Sequence, residues 1–143
     1  MTNKVLEQRK EEIIEEFSMF DDWMEKYEYL IELGKELPLI EEGSKSDDQL
    51  IRGCQSRVWL QAQKNAANHV VFSADSDAII TKGLIALMIK YLSDLPGDTI
   101  AQANMDVLEE IGLNDHLSPT RSNGLVSMVK QMKIYGLAYA NQK

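Results

Sequence analysis

The chain contains one cysteine, Cys54, and it stands in a small polar turn, Gly53-Cys54-Gln55-Ser56. A structural cysteine behaves as a small apolar residue and belongs in an apolar run, so a thiol among Gly, Gln and Ser asks for another reason. The chemistry open to it is nucleophilic attack. A thiol must be ionised to attack, and with an ordinary pKa of about 8.5 only a few per cent is thiolate at neutral pH. Cations and hydrogen-bond donors nearby would raise that fraction. Arg52 and Arg57 flank the turn, but strand alternation can point both guanidinium groups elsewhere, and each also reads as an ordinary surface arginine. Gln55 and Ser56 can donate hydrogen bonds to a sulfur anion or simply shape the turn, while Gly53 supplies a backbone angle that other residues resist.

Counting narrows the chemistry. One thiolate cannot hold an iron–sulfur cluster within a single chain. His69 and His116 stand at no metal-binding spacing, so they read as surface or hydrogen-bonded residues. A cysteine hydrolase would pair Cys54 with a histidine base, yet no signature of such a family surrounds either. A one-cysteine thiol oxidoreductase needs an exposed, low-pKa thiol and remains open, although there is no Cys-x-x-Cys pair. A binding module with an incidental cysteine is the third reading.

The elements that would position Cys54 follow from periodicity. Gln49 to Arg52 reads as a short strand before the turn, and 57–63 alternates Val58, Leu60 and Ala62 against Trp59, Gln61 and Gln63. Residues 69–74 return as its hairpin partner after Asn65-Ala66-Ala67-Asn68. A small sheet of three short antiparallel strands is expected. Upstream, 4–17 reads as a helix with a narrow apolar stripe. Asp21 or Asp22 caps a second helix bearing Trp23, Tyr27, Leu30 and Ile31, which Gly34 should end in the left-handed position. Leu37 to Ile40 should lie extended on the surface, followed by a loop over 41–48. Ser76 or Asp75 is expected to cap a helix over 78–92 that is apolar nearly all round, with Asp77 in its first turn. Gly83 inside that helix costs about 1 kcal/mol relative to Ala, so another backbone should approach closely there. Leu95 to Asp98 reads as a turn, short helical pieces follow around 99–103 and 106–111, and Gly112 stops the second. Ser118 and Pro119 open a last helix with Leu125, Met128, Val129, Met132, Tyr135 and Tyr139 on one face. Arg121 falls in its first turn, where the helix dipole disfavours a cation, so helix propensity does not account for it.

At 143 residues, 44% hydrophobic and 27% charged, the chain suits a single domain, 1–143, with a core of its own. The formal net charge of −8, with 15 basic residues scattered among 23 acidic ones, argues against nucleic acid as a partner. A lone cysteine closes no internal disulfide, residues 1–10 lack the apolar core of a signal peptide, and the longest strongly apolar run, 83–89, is too short to span a membrane. A cytoplasmic protein with no membrane partner is expected.

Four strings in register carry a resemblance. They are Trp23-x-x-x-Tyr27-x-Tyr29-Leu30-Ile31-Glu32-Leu33-Gly34-x-x-Leu37-Pro38; Gly53-Cys54-Gln55-Ser56-x-Val58-Trp59; Ser76-Asp77-Ala78 with Lys82-Gly83-Leu84; and Leu117-Ser118-Pro119-x-Arg121-Ser122-x-Gly124-Leu125. Together they cover nearly the whole chain, and it resembles the SufE family of cysteine-desulfurase partners, which includes the CsdE-type paralogues. The resemblance implies an α+β fold, a small antiparallel sheet with helices packed against it and Cys54 on a loop at one end, in a monomer. It implies a sulfur acceptor: Cys54 takes persulfide sulfur from a SufS-type or CsdA-type cysteine desulfurase, stimulates that enzyme, and passes the sulfur to Fe–S scaffold proteins. Gly53, Gln55, Ser56, Asp77 and Arg121 would then bind the partner or support the loop. For Asp77 the first turn of a helix is also a sufficient local reason. No pyridoxal-phosphate site is recognisable in the chain, so it is expected to carry no cofactor or metal and not to release sulfur from cysteine alone.

Overall fold

The structure is a computed structural model that describes residues 4–37, 57–103, 105–113 and 119–141, with the backbone alone for 119–123. Its elements run α1 (Lys4–Ser18), α2 (Trp23–Lys35), β1 (Val58–Lys64), β2 (His69–Ser76), α3 (Ile79–Leu92), β3 (Leu95–Pro96), α4 (Gly97–Ala101), α5 (Asp106–Glu110) and α6 (Pro119–Ala140). The architecture is α+β: a three-stranded antiparallel sheet in the order β1-β2-β3, with helices against it.

The hairpin forms where alternation places it. Val58 pairs with Ser76 and Lys64 with Val70 at its two ends. Its inward face, Val58, Leu60, Val70, Phe72 and Ala74, is fully buried. At the turn the Asn65 side chain accepts hydrogen bonds from the Ala67 and His69 N–H groups, both at 3.0 Å. Asn68 takes φ 64°, a left-handed angle that Asn tolerates better than most residues. The third strand differs from expectation. It is Leu95–Pro96, paired with His69 and Val70, in the stretch read as a turn; residues 49–52 lie outside the described residues.

Helix α3 is the centre of the fold and packs on α1, α2, α6 and β2. Nine of its fourteen residues are buried, which is why its sequence is apolar nearly all round. The close approach expected at Gly83 is present: a Cβ there would stand 2.3 Å from the Leu30 carbonyl oxygen of α2. Gly34 is the other half of that crossing. Rather than closing α2 in the left-handed position, it is helical, and a Cβ on it would meet the Gly83 nitrogen at 3.1 Å; α2 runs on to Lys35, with Glu36 as its C-cap at φ −94°. At the other end Asp22 caps α2 by accepting the Glu25 N–H at 2.9 Å, as its sequence implies.

Two further readings are corrected. Leu37 is 5% exposed and belongs to the core instead of the surface. The N-cap of α3 is Ala78, with no side-chain cap bond, because β2 runs through Ser76 and absorbs both residues read as caps. On the remaining side of the core, α6 buries Leu125, Met128, Val129 and Met132, and Tyr135 and Tyr139 pack partly buried against the same cluster.

Candidate functional site

Gly53, Cys54, Gln55 and Ser56 lie outside the described residues, as does the side chain of Arg121, whose backbone is in the first turn of α6. What the structure describes is the frame from which the cysteine-bearing segment, 38–56, leaves and to which it returns. The departure is Leu37, whose N–H donates to the Gly34 carbonyl at 3.3 Å. Gly34 rests on Lys82 and Gly83 in the first turns of α3. The return is Arg57, joined to Asp77 immediately before α3. Both anchors of the segment are therefore at one end of the central helix.

The Arg57–Asp77 junction explains Asp77. The β1–β2 register continues by one more pair, opposing Arg57 and Asp77. In a hydrogen-bonded antiparallel pair two residues exchange both N–H···O=C bonds. Here the Asp77 N–H donates to the Arg57 carbonyl at 3.2 Å, but the return bond runs from the Arg57 N–H to the Asp77 carboxylate, Oδ1, at 3.0 Å. The carboxylate replaces the backbone carbonyl as acceptor, so the chain can turn into α3 without releasing Arg57. Asp77 thus precedes the helix, which has no acid in its first turn. Its local role is to clamp the residue three positions after Cys54. This was not legible without the strand register, because an acid just before an apolar helical run reads equally well as a helix-start residue.

Two neighbours complete the turn from β2 into α3. The Ser76 hydroxyl accepts the Ala78 N–H at 3.2 Å, and the Asp75 carboxylate accepts the Ser76 N–H at 2.8 Å. Asp75 also lies 3.4 Å from the Lys82 ammonium, a pair that only the fold creates. A cation in a first helical turn is disfavoured by the dipole, and the facing carboxylate compensates it. The N-terminal end of α3, with no side-chain cap bond and no acid in its first turn, presents the positive end of its dipole beside both anchors.

At the far end of α3 the contacts are structural. Arg9 donates to the carbonyls of Tyr91 and Ser93, at 3.1 and 2.6 Å, and burial lowers its pKa. His69 Nδ1 lies 3.1 Å from Asp94; hydrogen bonds from Asn65 and His69 hold the Asp94 carboxyl below its usual value. His116 lies outside the described residues. Among the described residues no three His, Cys, Asp or Glu side chains gather in a metal-binding group, and no helix is long and apolar enough to cross a membrane.

Fold and frame together define a class: a small α+β domain that carries its one cysteine on a segment anchored at a single helix end. A family model described as SufE, Fe-S metabolism associated domain, matches residues 11–135. The chain belongs to the SufE family, a family associated with Fe–S metabolism. Among solved structures, it is similar to the solution structure of a hypothetical protein from Thermus thermophilus, with a TM-score of 0.77 and 15% identity, over 94% of this chain and 97% of that one. That likeness establishes the fold.

Proposed function

We propose that this chain is a sulfur acceptor and carrier: it takes persulfide sulfur from a pyridoxal-phosphate cysteine desulfurase onto Cys54, stimulates that enzyme, and delivers the sulfur to an Fe–S assembly scaffold in the cytoplasm. The observation that carries the reading is the family match across 11–135, which includes the chain's only cysteine. Asp77 supports it by fixing the return of the cysteine segment with a bond to Arg57. Sulfur transfer needs a thiol that reaches into a partner's site yet returns to a defined position, and a segment with both ends on a rigid helix meets that need.

The step balances without an oxidant. The Cys54 thiolate attacks the outer sulfur of the desulfurase persulfide, a new S–S bond forms to Cys54, and the old S–S bond breaks. The electron pair leaves on the desulfurase cysteine as thiolate, and the outer sulfur keeps its proton. At the N-terminal end of α3 the helix dipole favours an anionic sulfur and the Asp77 carboxylate opposes it, while Asp75 is offset by Lys82. Gln55 and Ser56 serve to donate hydrogen bonds to the persulfide anion, Gly53 to supply the backbone angle the turn needs, and Arg121 to meet the partner's acids. The desulfurase is of the SufS or CsdA type, and this chain acts as its partner rather than as an independent enzyme.

Intact-mass analysis after mixing the chain with a desulfurase and cysteine tests the proposal. The expected product is one sulfur atom heavier, reverts with reductant, and maps to the Cys54 peptide; Cys54→Ser gains nothing. Sulfenic acid formed with peroxide and turnover without any desulfurase would instead establish the thiol oxidoreductase reading.

A further inference from the structure

Helix α6 is apolar on two sides. One side enters the core through Leu125, Met128, Val129 and Met132. The other carries Val126, Ile134 and Leu137 at helical spacing, and these remain 64%, 49% and 55% exposed. A helix that is apolar all round is normally covered all round. The outward side forms one wall of a groove of about 450 Å³, and Ala101, Met105 and Leu108 of the α4–α5 region line the other. Among the described residues, the only charged ones lining it are Lys130 and Lys133. In a chain with 23 acidic and 15 basic residues, a groove edged by two lysines and no described carboxylate departs from the rest of the surface. Neither lysine makes an ion pair among the described residues.

We infer that this groove is a docking site for an acidic amphipathic helix of a partner protein. Its walls are helical on both sides, the setting in which a ligand helix lays its apolar face between them with anchors one turn apart. Lys130 and Lys133, three residues apart, stand on one side of α6. They meet carboxylates placed one turn apart on the flank of the incoming helix. The inference does not depend on the sulfur-transfer reading.

Fluorescence anisotropy with the full chain and a labelled synthetic helix tests the inference. The probe carries leucines at helical spacing on one face and glutamates on its flanks; its twin has lysines in place of the glutamates. The glutamate peptide is expected to bind, and the lysine twin to bind at least about tenfold more weakly at low salt. The Lys130→Glu/Lys133→Glu variant should reverse that preference, which a merely destabilised chain would not do. Ile134→Ser/Leu137→Ser, at exposed positions and checked for folding by circular dichroism, should weaken both peptides. Equal binding of the two peptides, an unreversed preference, or undiminished binding by the serine variant overturns the inference. So does displacement of the peptide by dodecanoate, which would make the groove a lipid site. Self-association that the serine variant abolishes would assign it to a second copy of the chain, with the same consequence.

Discussion

Replacing Asp77 by Ala removes the acceptor of the Arg57 N–H, a bond of 3.0 Å to a carboxylate, while leaving the partner bond from the Asp77 N–H to the Arg57 carbonyl at 3.2 Å. A hydrogen bond to a charged group contributes roughly 1.5–3 kcal/mol when buried; this one is exposed, so about 1 kcal/mol is the working figure. Because the junction lies at the end of the hairpin, the loss should appear as local opening of Arg57 from Asp77 more than as global unfolding. A shift of about 1 kcal/mol changes the anchored-to-released ratio about fivefold, and the rate of sulfur transfer to Cys54 should fall by up to that factor. Asn at the same position keeps a carbonyl oxygen able to accept from Arg57. If Asp77 acts through geometry, Asp77→Asn retains most of the transfer rate and Asp77→Ala does not; if it acts by its charge on the thiol, the two variants are alike. Single-turnover transfer from a persulfide-loaded desulfurase gives the rates, and amide exchange at Arg57 reports the anchoring. Equal rates for the two variants, or unchanged exchange at Arg57 in the Ala variant, would refute the clamp.

Gly83→Ala should destabilise the fold by about 2 kcal/mol, since the new Cβ would stand 2.3 Å from the Leu30 carbonyl oxygen and overpacking outweighs the roughly 1 kcal/mol gain in helix propensity; urea unfolding measures it. Gly97→Ala and Gly136→Ala should each loosen α4 from α6, because the added Cβ would be 2.3 Å from the Gly136 oxygen and 2.7 Å from the Gly97 oxygen respectively; a melting temperature equal to wild type in either variant would contradict that crossing. Burial raises the Glu16 pKa, but hydrogen bonds from Lys90 and Tyr29 overcome it and hold the carboxyl below its ordinary value of 4.5. A lowered folded-state pKa contributes stability above the unfolded value, lost as pH falls through the folded one. Burial, then the bond to Glu16, raises the Tyr29 pKa above its ordinary value of 10.0, so its contribution is present below that pH and lost as pH rises beyond it. Glu16→Gln should therefore flatten the acid limb of stability below about pH 4.5, measured by denaturation across pH.

What was legible in the chain was whatever a single element decides. Alternation located β1 and β2, the apolar run located α3, and the pair Asp21-Asp22 announced the start of α2, which Asp22 caps. Gly34 and Gly83 show where this stops. Each glycine has a local reading, a helix stop and a tight spot, and only the α2–α3 crossing reveals that they face each other so closely that a Cβ on Gly34 would stand 3.1 Å from the Gly83 nitrogen. The strand Leu95–Pro96 is two residues long and exists because His69 and Val70 lie beside it, a fact no window around residue 95 contains. Asp77 reads from the sequence as a first-turn acid of α3 but lies before that helix, because the ladder consumes Ser76 and moves the helix start to Ile79.

The glycine crossing and the Asp77 clamp act on the same segment. Gly34 must sit against Gly83 for Leu37 to enter the core at the head of α3, and Asp77 must hold Arg57 for the chain to leave from the same place. A disturbance of either anchor moves one end of 38–56 relative to the other, but the two differ in cost. The crossing is buried and backbone-to-backbone, so altering it unsettles the whole fold. The clamp is exposed and depends on one carboxylate, so it can yield while the core stays intact. The two anchors therefore separate by experiment: Asp77→Ala should speed amide exchange at Arg57 and leave the urea midpoint nearly unchanged, whereas Gly83→Ala should lower that midpoint, and an equal loss of global stability in both variants would exclude the division.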